Sequence, residues 1–370
     1  MFGSRNFLFA KGAAGASVGN LFTWGYNALG QLGDGTTTNR YSPVMVGTLA
    51  TWSKPAAGNN SGSGGALCVK TDNTLWAWGA GYFGQLGLGN TTNFSSPVQV
   101  GALTNWATPS IAGYNSACVK TDGTLWTWGA GYNGVLGLGN TTAYSSPKQV
   151  GSLTNWSKPS ASNFILCVKT DGTLWAWGRN AQGQLGLGDT TGRSSPVQVG
   201  ALTTWAIPSA GGSHSLCTKT DGTLWSWGQG VGGKLGLNNE YSYSSPKQVG
   251  ALTNWSKPVA GGSHSLCTKT TGTLFSWGVN QFGQLGLGNT YNYSSPKQVG
   301  SLTTWLQPTG GSLVSGCTTT GGTLFTWGRN QFGQLGHGNT TFYSSPKQVG
   351  ALTNWVTPSI GATFFICTTT

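Results

Sequence analysis

A chain of 370 residues in which 7% carry charge and 62 are glycine has little material for amphipathic surface helices, so a helical fold is excluded. Its formal net charge of +12 reflects a shortage of acids rather than basic clusters, and no local motif supports sequence-specific reading of nucleic acid. Acid-base and metal chemistry need carboxylates, histidines or thiolates that converge, and this chain scatters seven acids and three histidines along its length, so the expectation is no catalysis, no cofactor and no metal.

Residues 1–20 stand outside the pattern that governs the rest. The apolar run Phe7-Leu8-Phe9-Ala10 is too short for a signal-peptide core or a membrane span, so no membrane insertion is expected. The segment reads as a flexible tail or as an arm that docks on a partner.

From residue 21 to 370 one unit is copied seven times. Cys68, Cys118, Cys167, Cys217, Cys267, Cys317 and Cys367 mark the period, and Trp-Gly pairs beginning at Trp24, Trp78, Trp128, Trp177, Trp227, Trp277 and Trp327 keep nearly the same step. A fixed period in this range means a propeller, a solenoid or an array. Each unit supplies short Val-, Thr-, Leu- and Trp-rich runs, such as 67–71 and 74–78, separated by Asp-Asn or Asp-Gly, a pair suited to a two-residue hairpin turn. Two further extended runs, around 97–100 and 106–109, complete four strands per unit, which is a propeller blade. The last unit stops at Thr370 with half a hairpin, and Leu21-Phe22-Thr23-Trp24-Gly25 reads as the missing half. The expected fold is therefore all-β, a seven-bladed propeller whose ring is closed by pairing its N- and C-terminal strands.

The segment Trp277 to Gly288, with close copies at 24–35, 177–188 and 327–338, resembles the signature of the regulator of chromosome condensation repeat. Gly-Gly-Ser-His-Ser-Leu-Cys at 211–217 and 261–267 is similar to the family's other typical stretch, and the resemblance spans residues 21 to 370. It implies the propeller. For function it implies only a range, from a nucleotide exchange factor for a small GTPase to ubiquitin ligases, because one fold hosts many activities. The even spacing leaves no room for the inserted wedge of the exchange factor, and Asp72, Asp122, Asp171 and Asp221 sit in hairpin turns.

Other motifs read as by-products of repetition. Gly79 to Gly84 and Gly129 to Gly134 fit a dinucleotide-binding spacing, yet no helical pattern follows to hold a pyrophosphate. His214, His264 and His337 are expected in structural roles, and the cysteines as reduced, buried thiols a blade apart. Lys70, Lys120, Lys169, Lys219 and Lys269 precede the hairpin turn, whereas Lys148, Lys247, Lys297 and Lys347 follow Ser-Ser-Pro. Both sets read as solvated surface, falling towards opposite rims.

Positions that differ between copies are not dictated by the blade. They cluster before the cysteine strand, after Trp-Gly and before Ser-Ser-Pro, and all three stretches are expected on one face rich in Tyr and Phe. Tyr82, Phe94, Tyr132, Tyr144, Tyr241, Tyr243, Tyr291, Tyr293 and Phe342 are the candidate partner-binding residues. The functional expectation is a structural or binding module, a phage virion component that docks by its arm, with virion proteins, other protein subunits, or a cell-surface glycan or receptor as partner. A nucleotide exchange factor for a small GTPase or another protein-interaction scaffold of the same family is the alternative; the expected location is the virion, otherwise the cytoplasm.

Overall fold

The computed structural model describes residues 19–48, 50–58 and 64–370; the arm lies almost wholly outside the described residues. Seven four-stranded antiparallel sheets make up the ring. Each blade is named here by the tryptophan that opens its innermost strand. In the Trp106 blade the strands run Trp106–Ile111, Asn115–Lys120, Leu125–Gly129 and Tyr144–Gln149 from axis to periphery. The first strands of neighbouring blades touch around the whole axis.

The seventh blade is assembled from both ends of the chain. Leu21 pairs with Thr368, Phe22 with Cys367 and Trp24 with Phe365, while Arg40–Met45 and Trp355–Ile360 flank that hairpin. The closure removes the two free edges that an open array would present. The inner edges that remain are covered by hydroxyls of the preceding blade: Ser359, Ser110, Ser160 and Ser209 Oγ accept the N–H groups of Ala57, Ala161, Ala210 and Ala260 at 2.8–3.0 Å.

Blades are joined by the tryptophan of each Trp-Gly pair. All seven indoles are buried, and each Nε1–H donates to a carbonyl of the preceding blade, as in Trp78 to Gln31 at 3.0 Å and Trp128 to Gln85 at 2.8 Å. A glycine two residues beyond that carbonyl lies flat on the indole. At Gly87 (φ +75°) a Cβ would stand 2.8 Å from Trp128 Nε1, so only glycine fits. The seven hydrophobic clusters accordingly mix residues of two adjacent blades, for example Leu67 and Val69 with Trp106, Cys118 and Trp128.

Three expectations need correction. The Asp-Gly turns are not two-residue hairpins: Lys120 N–H donates to Thr124 and Gly123 N–H to Lys120, which makes a three-residue loop with Gly123 alone left-handed at φ +77°. Asp122 instead accepts from the N–H and hydroxyl of Thr124 (2.9 and 2.6 Å), and those bonds hold its carboxyl below the usual range. Second, the lysines before the turn are not solvated. Lys70, Lys120, Lys169, Lys219 and Lys269 are buried or half-buried, each with Nζ 3.8–5.0 Å from two aromatic centroids, as Lys120 between Trp106 and Trp126. Third, Lys148 and its equivalents do not face the opposite rim. The second and fourth strands of a blade run the same way, so both lysine sets lie towards the hairpin-turn rim.

Candidate functional site: the variable rim

The loop into the second strand and the connection out of the third leave a blade at the same end, because Gly65 pairs with Gly79 and Gly79 with Phe94. The three variable stretches therefore meet on one rim. Near the axis its loops interlock: Gly212 N–H donates to Gly261 at 3.1 Å, Gly262 to Gly311 at 3.0 Å and Ala362 to Gly58 at 3.3 Å. A side chain at Gly311 would meet Gly361 O at 2.4 Å, which explains the glycines in these loops.

The nine candidate residues fall into two groups. Tyr82, Tyr132, Tyr241, Tyr291 and Phe342 are exposed, from 44% for Phe342 to 72% for Tyr241 and Tyr291. Phe94, Tyr144, Tyr243 and Tyr293 are half-buried at the start of the outer strand. Phe94 packs on the core, and the hydroxyls of Tyr243 and Tyr293 accept from Asn239 and Asn289 Nδ2 at 3.2 Å. Lys148, Lys247 and Lys297 lie 5.5 Å from the rings of Tyr144, Tyr243 and Tyr293. This second group holds the long connection onto its own blade.

Sequence reasoning passed over several rim residues that the fold brings together. Phe83 meets Tyr114 of the next blade at 4.7 Å and Tyr132 at 6.2 Å, Tyr26 meets Phe332 at 4.8 Å, and Phe282 is touched by Phe342 and by the Arg329 guanidinium at 5.4 Å. The signal was present in the copies: these aromatics occupy the same variable stretches, but their contacts cross between blades and are invisible within one repeat.

The rim's polar residues are buried donors and acceptors. His214 Nε2 meets Ser265 Oγ at 2.9 Å and His264 Nε2 meets Ser315 Oγ at 2.8 Å. Each hydroxyl itself donates to a carbonyl, so each imidazole Nε2 carries a hydrogen and is the donor. Burial pushes His214 well below the usual imidazole range and His264 to about 4. His214 and Ser215 thus form inter-blade bonds, the latter by donating to Gln184 O at 2.7 Å. Five blades place Gln31, Gln85, Gln184, Gln284 or Gln334 where its Oε1 accepts a backbone N–H two residues earlier at 2.8–3.0 Å. Two blades differ, with Val135 and Lys234. Buried Lys234 gives its ammonium to Gln229 Oε1 at 2.9 Å, and desolvation lowers its pKa. Among the described residues no three His, Cys, Asp or Glu side chains cluster as a metal site, and no helix is long and apolar enough to cross a membrane.

This is a closed seven-bladed propeller with one uniform rim and one variable, aromatic rim. The regulator of chromosome condensation (RCC1) repeat matches at residues 18–62, 72–119, 122–167, 171–218, 221–268, 271–317 and 321–367, and the chain belongs to that family. It is 32% identical over 95 residues to the human E3 ubiquitin-protein ligase HERC2, a match covering 26% of this chain and 2% of that protein. The fold is similar to human WBSCR16, with TM-score 0.84 and 19% identity over 95% of this chain and 98% of that one. It is also similar to Prp20p of Saccharomyces cerevisiae, a structure described with its binding to Gsp1p and histones, at TM-score 0.83, 18% identity and coverage of 95% and 92%.

Proposed function

We propose that this propeller is a non-enzymatic protein-interaction module that meets its partner through the variable rim. One observation carries the reading: the exposed aromatics Tyr82, Tyr132, Tyr241, Tyr291 and Phe342 all sit on the rim where the copies differ. The other rim repeats the same turns blade after blade. A sevenfold-identical surface is poorly suited to one asymmetric partner, and exposed aromatics supply contact area at low entropic cost. The test is photo-crosslinking in the cells that make the protein, with the reactive side chain at 82, 132, 241 or 291, and at Leu103, Leu153 or Leu252 on the uniform rim. Protein adducts from the first set alone support the reading; adducts only from the second set overturn it.

Nucleotide exchange on a small GTPase is a second reading, supported by the likeness to Prp20p and its Gsp1p binding. The near-even blades and the turn-capping roles of Asp72, Asp122, Asp171 and Asp221 weigh against it. Release of a fluorescent guanine nucleotide from the native host's small GTPases tests it directly. The narrower virion setting, with residues 1–20 as the mount and a surface protein or glycan as the target, has one geometric support. Gly19 bridges to Trp52 and Asn20 O accepts from Thr369, so the chain enters at the uniform rim, opposite the aromatic one.

A further inference from the structure

The Trp106 blade breaks the rim's regularity at Val135. Without the glutamine acceptor, the turn tightens into a 3-10 turn over Tyr132–Gly134, with Val135 N–H donating to Tyr132 O at 3.2 Å and Asn133 left-handed at φ 56°. At this point the rim holds a cleft of about 270 Å³, lined by Tyr114, Asn115, Tyr132, Val135, Asn163 and Arg179 and shared with the Trp156 blade.

Two residues in it offer polar groups to a ligand, one buried and one exposed. Asn115 is 2% exposed; its Nδ2 donates to Ser162 O at 3.0 Å, and among the described residues its Oδ1 has no partner. A buried carbonyl oxygen left unpaired costs about 1–3 kcal/mol, so it marks the place of a missing donor. Arg179 is exposed and forms no ion pair among the described residues, whereas Arg40 and Arg193 are paired with Asp34 and Asp189. The cleft therefore asks for a hydrogen-bond donor towards Asn115, an anionic acceptor for Arg179 and a flat apolar face for the tyrosines. A carboxylate alone offers no donor, and a carboxamide offers neither charge nor a face to stack. A sugar ring bearing a carboxylate offers all three: hydroxyls that donate, an acid group, and a C–H face that packs on aromatic rings.

We propose that the Val135 cleft binds a single acidic pyranose, a uronic acid residue of a polysaccharide. The inference rests on the variable rim as the binding face and goes beyond protein contact; the two readings fail separately, because cross-linking at positions 82, 241 and 291 reads protein contact away from the cleft, whereas glycoside binding to the isolated chain reads the cleft alone. The experiment is saturation-transfer NMR on the full chain with methyl β-D-glucuronide and methyl β-D-glucoside. The glucuronide should bind with Kd of about 1 mM and the glucoside more weakly. Val135→Gln installs the residue found in five other blades and should weaken glucuronide binding at least about tenfold. Tyr132→Ser, at an exposed position, should do the same, and Arg179→Gln should bring the glucuronide to the level of the glucoside. Lys234→Gln, which regularises the other exceptional blade, should change nothing. Absence of transfer to either glycoside at about 20 mM, where a millimolar site is nearly saturated, overturns the proposal. Undiminished binding by Val135→Gln or Tyr132→Ser, or tighter binding of N-acetylasparagine amide than of the glucuronide, does so too.

Discussion

The indole N–H of Trp24 donates to the carbonyl oxygen of Gln334 at 3.1 Å, across 310 positions of sequence. The same bond joins Trp78 to Gln31 and Trp327 to Gln284, each time between a blade and the one before it. Trp24 also stacks on Phe365 at 4.5 Å, so the first strand of the chain is held by both the Trp305 blade and the last strand. A linear array would leave Trp24 with neither contact.

Removal of residues 365–370 should therefore lower the melting temperature sharply and promote concentration-dependent association. It strips the partner strand from Leu21–Trp24 and opens an edge. Calorimetry and light scattering on the truncated chain measure the two effects. A melting transition that does not move would count against the closure.

The lysines held between aromatic rings predict a second cost. Lys120 lies 3.8 Å from the Trp126 centroid and 4.7 Å from that of Trp106, and its burial lowers its pKa. Thr319 occupies the equivalent place in a later blade, so Lys120→Thr is sterically acceptable. It should still destabilise by about 0.5–2 kcal/mol, read as a lower denaturation midpoint with unchanged slope. A midpoint equal to wild type would show that the ammonium contributes nothing there.

How much of this was legible in the sequence follows from where each contact lies. The Trp-Gly pairs and the cysteines recur at one period, and that period, the four extended runs in each unit and the split hairpin at Leu21 and Thr370 together point to blades and closure. The burial of Lys70 was not legible, because its second ring, Trp52, comes from a strand whose register is set by a bulge between Trp52 and Lys54. Nor was the division of the candidate aromatics: Tyr241 and Tyr243 stand two residues apart, yet one is 72% exposed and the other is tied to Asn239. The Val135 cleft depends on Asn163 and Arg179 of the next blade, which no comparison of single repeats brings together.

All seven cysteines are free and fully buried. Desolvation pushes the thiols of Cys68, Cys118, Cys167 and Cys217 up to about 12 and the other three higher still, so none is a thiolate at neutral pH. Alkylation of the native protein at pH 8 should add no mass within an hour, and alkylation in denaturant should add seven adducts. A native protein that reacts readily, or fewer than seven adducts after unfolding without reductant, would contradict this.

Acid should weaken the fold through its imidazoles. His264 and His337 titrate at about 4 in the folded protein against an ordinary 6.5, and His214 is lowered well below that value, because burial disfavours the charged ring. Between about 6.5 and about 4 the unfolded chain binds protons that the folded chain does not, so stability falls as pH falls through this window. Phe164 and Phe364 occupy the strand position of His214 and His264, and Leu287 that of His337. The triple variant His214→Phe, His264→Phe, His337→Leu should therefore fold and show a flatter melting temperature between pH 6.5 and 4.5. An unchanged pH slope would assign acid sensitivity to other groups.

The two groups of rim aromatics should respond oppositely to mutation. Tyr82, Tyr241 and Tyr291 are exposed at 52%, 72% and 72%, so Tyr→Ser at any of them should shift stability by less than about 0.5 kcal/mol. The same changes should weaken partner contact, because they remove projecting ring area from the rim. Tyr243 and Tyr293 instead accept from Asn239 and Asn289, and Tyr→Phe at either should destabilise by about 0.5–1.5 kcal/mol through the lost hydrogen bond. That substitution keeps the ring, so partner contact should persist. Denaturation midpoints together with cross-linking yield at an unmutated rim position outside the cleft, 82 or 291, separate the cases. If Tyr241→Ser destabilised the fold while leaving the cross-link intact, the exposed aromatics would belong to the scaffold and the variable rim would lose its assignment.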